Sequence, residues 1–117
     1  MHKLAKEPND LETFFVERAN AGDVEGLVAL YESNATLTCG DGEVVVGLDQ
    51  IRKFFINFLE NGPQLSPSVQ ASALCSGDLA LTSSRLDNGD ITAEIARRQP
   101  DGNWLWAVDQ FVLGKGT

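Results

Sequence analysis

The sequence predicts an α+β fold in which three helices pack on one face of a strongly curved, mostly antiparallel six-stranded sheet. Three observations predict it. Two amphipathic helix patterns follow one another within residues 9–31, a β-hairpin pattern surrounds Gly40-Asp41-Gly42 ahead of a third helix opening at Asp49, and only strand patterns follow from Val69. Helices grouped ahead of a run of hairpins segregate to one face of an antiparallel sheet, and a sheet with that many strands bends around them.

The first helix starts at Asn9, a good cap for orphan amides, with Glu12 three residues on completing a capping-box pattern. Leu11, Phe14, Phe15 and Arg18 follow the i, i+3, i+4, i+7 spacing of a core-facing stripe, with the Arg18 stem lying along its edge. Ala21-Gly22 ends this helix. Asp23 caps a second, in which Val24, Leu27, Val28 and Tyr31 repeat the spacing, so that it ends at Leu30-Tyr31. The β-branched runs Ala35–Cys39 and Glu43–Val46 flank the glycine-rich turn as a hairpin. In the third helix Ile51, Phe54, Phe55, Phe58 and Leu59 form a wide apolar stripe that only a sheet could cover, and Asn61-Gly62-Pro63 terminates it. Four strands then read as 69–75, 79–86, 91–98 and 104–113, joined by turns at Ser76-Gly77-Asp78, Asn88-Gly89 and Asp101-Gly102. Residues 1–8 read as a flexible tail, 9–113 as one domain and 114–117 as a C-terminal tail.

Charge and composition exclude several classes of function. A chain of 117 residues, 43% hydrophobic and 22% charged, has the make-up of one globular domain. Its net charge of −8 and pI near 4.4 oppose binding to phosphate backbones or anionic lipid, so neither nucleic acid nor membrane is expected as a partner. The N-terminus carries no apolar signal-peptide core, which points to a cytoplasmic protein. Cys39 and Cys75 form no C-x-x-C pair and are read as buried reduced thiols; no metal site or cofactor motif is expected. The single histidine, His2, falls in the tail, so acid–base chemistry passes to carboxylates.

Ala21-Gly22-Asp23, Leu30-Tyr31, Ala35-Thr36-Leu37, Gly47 and the Gln50-Ile51 to Phe54-Phe55 helix, in this order and spacing, resemble the NTF2-like superfamily in its SnoaL-like and ketosteroid-isomerase-like branches. The resemblance spans nearly the whole chain. It implies a cystatin-like, cone-shaped pocket between sheet and helices, a small apolar ligand, and a homodimer formed through sheet faces. Steroid isomerases of this superfamily pair an Asp base with a Tyr and a protonated Asp that donate to an enolate oxygen. Counted from the shared anchors, the tyrosine position falls on Phe15, the base position on Cys39 and the second acid near Glu94. An isomerase of that standard type is therefore not expected.

Two carboxylates remain as candidates. Asp109 interrupts the otherwise apolar Trp104–Val108 and Phe111–Leu113 segments, and strict alternation groups it with Leu105, Ala107, Phe111 and Leu113. On the comparison with the superfamily that face is the pocket wall. Asp109 is then a base in an apolar cleft with Glu94 as partner, or a structural carboxylate held by Arg97, Arg98 or a backbone amide. Glu94 shares a face with Thr92 and Ala96, and that face is either the pocket or the solvent side. Phe15, Tyr31, Cys39, Phe55, Phe58, Ala107 and Phe111 are assigned to the pocket wall. Arg85, Arg97 and Arg98 read mostly as surface charges, and Trp104 and Trp106, opposite Asp109 by alternation, suit a dimer interface. Two functions stay open: an isomerase-, cyclase- or hydrolase-type enzyme using carboxylate acid–base chemistry on a carbonyl-bearing ligand, and a non-catalytic ligand-binding or dimerisation module.

Overall fold

The structure, a computed structural model, describes residues 2–38, 42–62 and 64–115, with side chains as far as Phe111. Cys39 and the tip of the first hairpin lie outside the described residues, and Cys75, expected to be buried, is an exposed free thiol on a strand whose three residues are all exposed. The expected α+β architecture is present: α1 (Asp10–Asn20), α2 (Val24–Val28) and α3 (Leu48–Glu60) pack on one sheet formed by β1 (Tyr31–Thr38), β2 (Val44–Val46), β3 (Val69–Gln70), β4 (Leu74–Ser76), β5 (Leu79–Thr82), β6 (Ser84–Arg85), β7 (Asp90–Arg98) and β8 (Trp104–Lys115). The sheet runs β2-β1-β8-β7-β5-β4, with β6 also on β7 and β3 on β6. The β1–β8 pair is parallel and the other pairs are antiparallel. Where six strands were expected, eight are present among the described residues, because each of the expected segments 69–75 and 79–86 is interrupted once.

Local chemistry accounts for the helix ends. Asp23 caps α2 as expected, its carboxylate accepting from the Gly26 amide at 2.9 Å. Gly22, at φ 70°, makes the left-handed turn between α1 and α2, and Gly47, at φ 87°, makes the turn from β2 into α3. Two sequence expectations change here. Helix α2 stops at Val28, and Tyr31 opens β1, because the Leu30 carbonyl accepts from the Trp106 amide of β8 at 2.8 Å instead of continuing a helix. Asn9 makes no side-chain cap; its amide reaches across to Gln70 Oε1 and the Ala71 carbonyl and fastens α1 to the segment beside β3.

The chain ends are also more integrated than expected. Ala5 is buried and bridges to Trp104, whose amide donates to the Ala5 carbonyl at 2.9 Å, while His2 Nε2 lies 2.6 Å from Asp23 Oδ2. Residues 2–8, expected as part of a flexible tail, are therefore fastened to the domain at His2 and Ala5. At the other end, β8 runs on to Lys115, past the expected boundary at 113.

The core is aromatic. Leu11, Leu27, Leu37, Ile51, Phe55 and Trp106 are its largest fully buried side chains, and Phe55 packs against the rings of Phe15, Tyr31, Phe54 and Phe58 with centroids 5.2–6.2 Å apart. Among the described residues no helix is long and apolar enough to cross a membrane.

A β-bulge decides which side chains of β8 face inward. Ile95 of β7 pairs with Val108, but the next residue, Ala96, pairs with Trp106, leaving Ala107 as an extra residue in β8. Alternation therefore slips by one at this point, and Trp106 and Asp109 share the inner face. This corrects the outward placement of the tryptophans: Trp104 and Trp106 are 6% and 1% exposed and belong to the core. What faces outward instead is a row of aliphatic side chains. Leu74, Leu81, Ile95 and Val108 are successive cross-strand partners from β4 to β8, and Thr36 of β1 continues the row to Val46 of β2. Leu74, Leu81, Val108 and Val46 are all more than two-fifths exposed, and Ile95 nearly so.

Candidate active site

Glu94 and Asp109 are direct cross-strand partners in the β7–β8 register, and both are buried. Directly opposed side chains stand about 4.5–5.5 Å apart at Cβ on one face of a sheet, here the face turned toward α1. Both line the same cavity, of about 120 Å³, several times the space one ordered water needs. Glu94 thus faces inward, the orientation that alternation alone left open. Arg97 and Arg98 face away from it, paired with Glu32 and Asp78 respectively, so neither neutralises Asp109.

A third carboxylate completes the site. Glu12, Phe15 and Val16 lie at i, i+3 and i+4 on α1 and line the cavity together. Glu12 is 8% exposed and accepts from the Ser68 hydroxyl at 2.9 Å. Its sequence position suggested a capping box; its buried environment makes it part of the site. The signal was available, because Glu12 shares a helical face with Phe15 and Val16, but a capping motif explained the same residue more simply.

Of the expected wall residues, Phe15 and Phe111 line the cavity, with ring centroids 5.4 Å apart in an edge-to-face arrangement. Tyr31, Phe55, Phe58 and Ala107 do not. Tyr31 and Phe55 stand behind the wall in the aromatic core, Phe58 buttresses Phe111 at 5.6 Å, and Ala107 is the bulged residue. Cys39 lies outside the described residues. Trp106, expected on the outer face, lines the cavity, and the mouth is formed by residues 64–66 and 86–88.

Tyr31 supplies a phenol that counting had assigned to the Phe15 position and found absent. It is the first residue of β1, parallel to β8, and its hydroxyl donates to Asp109 Oδ2 at 2.5 Å. Burial and the neighbouring Asp109 charge hold its own ionisation well above the usual tyrosine range, so it remains a donor.

Burial sorts the carboxylates. Asp109 is raised well above the usual carboxylate range, first by desolvation and then by the nearby Glu94 charge, against which the Tyr31 hydrogen bond is insufficient. Glu94 is also raised by desolvation, but two hydroxyls resist the shift: Thr82 donates to Oε1 at 2.6 Å, and Thr92 provides a second hydrogen bond. Glu12 is pushed up to about 7, mainly by desolvation, with Ser68 opposing. Two like charges this close in a sheltered site do not both ionise readily. Both carboxyl groups are raised by burial, and more hydrogen-bond donors oppose the shift at Glu94 than at Asp109, the more deeply enclosed of the pair. Asp109, expected as the base, thus sits where burial favours its neutral form.

No Lys, Arg or His is among the described residues that line the cavity, and among the described residues no group of three or more His, Cys, Asp or Glu is arranged to hold a metal ion. Apart from Asp87 at the mouth, the remainder of the described wall is apolar or neutral. The arrangement can therefore donate and accept protons beside an uncharged ligand, and it opposes an anionic one.

The profile of the SnoaL-like domain matches residues 12–115, which contain every element from α1 to β8 apart from the first two residues of α1. The chain belongs to the SnoaL-like family. Solved structures share the fold of this SnoaL-like chain. A protein of unknown function with a cystatin-like fold from Nostoc punctiforme superposes with a TM-score of 0.69 at 19% identity, covering 87% of this chain and 84% of that one. A SnoaL-like protein of unknown function from Burkholderia thailandensis gives 0.64 at 16% identity, with 91% and 93% covered. A ketosteroid isomerase-like protein from Erwinia carotovora atroseptica gives 0.65 at 14% identity, with 87% and 89% covered. At these identities the likeness is one of fold, and chemistry has to be argued from the side chains of the SnoaL-like cavity itself. No curated protein matches the sequence.

Proposed function

We propose that the cavity is an acid–base site for a small, uncharged, carbonyl-bearing ligand, in which Glu94 takes a proton from the carbon beside the carbonyl while protonated Asp109 donates to the carbonyl oxygen. The observation that carries this reading is the direct opposition of Glu94 and Asp109 in one cavity, with more hydrogen-bond donors around Glu94 than around Asp109, a difference that favours the proton on Asp109. Tyr31 orients Asp109 from behind and stabilises its carboxyl group. The lack of cationic lining residues and the apolar rings of Phe15 and Phe111 suit a neutral ligand.

The test needs no knowledge of the natural substrate. Exchange of the α-protons of cyclohexanone or acetophenone for deuterium, followed by proton NMR in heavy water, reads proton abstraction directly. Wild-type protein should accelerate exchange, and Asp109→Asn and Glu94→Gln should each slow it by about 10²–10⁴-fold with unchanged circular dichroism. If exchange matches that of buffer acetate, or persists in Glu94→Gln, the cavity is a binding module and not a catalyst of this kind.

We also infer that the exposed aliphatic row on the outer face pairs two copies of the chain. A row with aliphatic side chains on five of its six strands, bridged by Thr36 on β1, is larger than the scattered apolar residues of ordinary surfaces, and its centre lies at Ile95 and Val108. Sedimentation should give a dimer for the wild type and a folded monomer for Ile95→Glu. A wild type that sediments as a monomer at micromolar concentration would leave the band without this role.

A further inference from the structure

The break between β5 and β6 lies beside Glu94, and three buried hydroxyl residues surround it: Thr82 at the end of β5, Ser84 at the start of β6, and Thr92 on β7. Valine or isoleucine would build the same inner face with no polar atom to satisfy, so the hydroxyls call for an explanation. The register is the same on both sides of the break, with Thr82 opposite Glu94 and Arg85 opposite Ile91, which sets Ser84 opposite Thr92. Side chains replace the backbone ladder at this point. The Ser84 amide donates to Thr92 Oγ1 at 3.1 Å, and the Thr92 carbonyl accepts from the Ser83 hydroxyl at 2.7 Å.

The break thereby gives the Thr92 hydroxyl a direction. An amide N–H only donates, so Thr92 Oγ1 is the acceptor in its bond with Ser84 and keeps its own proton for Glu94. From the neighbouring strand Thr82 donates to Glu94 Oε1 at 2.6 Å. Thr92 lines the cavity, whereas Thr82 stands behind Glu94 and outside the lining. We propose that Thr82 is a positioning residue, which together with Thr92 fixes the Glu94 carboxyl group and makes it the proton acceptor of the pair with Asp109. This rests on the acid–base reading of the cavity and adds what divides the two roles. Hydrogen bonds donated to a carboxylate favour its charged form, and they are stronger than bonds between neutral groups. The other titratable groups around Glu94 supply no such help: Asp109 on β8, Glu12 on α1 and Asp87 at the mouth oppose its charge, and Tyr31 on β1 spends its hydroxyl on Asp109. From β5 comes the neutral Thr82 hydroxyl.

The experiment follows the side-chain carboxyl carbons of Glu94 and Asp109 by NMR in 13C-labelled protein as pH is raised, the two signals being those lost in Glu94→Gln and Asp109→Asn. In the wild type Glu94 should ionise before Asp109. Thr82→Val keeps the shape and removes the hydroxyl, and should move the Glu94 titration upward by about one to two pH units, the worth of one hydrogen bond to a charged group. Thr82→Ser keeps the hydroxyl and should leave the titration in place. The pH at half-maximal α-proton exchange of cyclohexanone should rise with the Glu94 titration in Thr82→Val, so that activity lost at neutral pH returns at higher pH; damage to packing alone would lower the rate at every pH. Thr82→Ala, a second variant without the hydroxyl, should behave as Thr82→Val does and serves if valine disturbs the fold by circular dichroism. An equal displacement in Thr82→Val and Thr82→Ser, or none in either hydroxyl-free variant, overturns the positioning role and leaves the acid–base reading standing on the exchange assay. A wild type in which Asp109 ionises before Glu94 overturns both. If the titrations respond as expected while wild-type protein does not accelerate exchange, Thr82 still sets which carboxyl group ionises, and the proton-transfer reading falls.

Discussion

Glu12→Gln should make the protein markedly more stable at pH 8 while changing little at pH 5. The folded-state pKa of Glu12 is about 7, against 4.5 for the unperturbed group. Between these values the folded state binds more protons than the unfolded one, so unfolding free energy falls as pH rises. The contribution is fully present below about pH 4.5 and is lost as pH climbs through about 7. A separation of this size corresponds to roughly 3 kcal/mol, a large part of the stability of a small domain. Glutamine keeps the acceptor for Ser68 and removes the ionisation. Urea unfolding at the two pH values reads the effect, and wild type should show the lower midpoint at pH 8. Asp109 and Glu94 are displaced in the same direction, so an alkaline loss should persist in the variant. Equal midpoints for Glu12→Gln and wild type at pH 8 would mean that Glu12 is hydrated and not part of an enclosed site.

Phe55→Ala should be the most damaging single truncation in the core. The ring is fully buried and touches four other aromatic rings, including Phe15 in the cavity wall and Tyr31 behind Asp109. Large-to-small changes of this kind cost about 3–5 kcal/mol, because the space left behind collapses only in part. Phe54→Ala, on the half-buried side of the same helix, should cost clearly less. The damage should also reach the site: with one neighbour gone, Tyr31 loses part of the packing that holds its hydroxyl on Asp109. Chemical denaturation gives the first effect, and the loss of α-proton exchange in whatever fraction remains folded gives the second. A loss below about 1 kcal/mol would show that the helix–sheet contact, not the aromatic cluster, carries the core.

Much of the architecture could be read directly from periodicity. The α3 stripe, the Asp23 cap and the hairpin turns are local signals, and each of them specifies its element almost independently of the rest. Asp109 was legible as a charge in an apolar strand. Other features depend on contacts between distant segments. Tyr31 continues the helical spacing of Val24, Leu27 and Val28, and only its parallel pairing with β8, 75 residues away in register, makes it a strand residue. Glu12 satisfied a capping motif that the fold does not use. The acid and base roles of Asp109 and Glu94 depend on how many donors surround each carboxyl group, and those donors come from β1, β5 and β7. Trp106 was misplaced because period-two counting was carried across a strand that contains an extra residue.

That extra residue has a wider consequence. Odd and even positions exchange meaning at Ala107, so equivalences in the last strand cannot be carried through it from one end. Upstream positions have to be indexed from Trp104 and downstream positions from Asp109. A relative lacking the insertion would present the opposite set of side chains to its interior while keeping the same strand, the same neighbours and nearly the same sequence. One backbone irregularity thereby offers a route by which the reactive lining of such a cone can be exchanged without redesigning the scaffold around it.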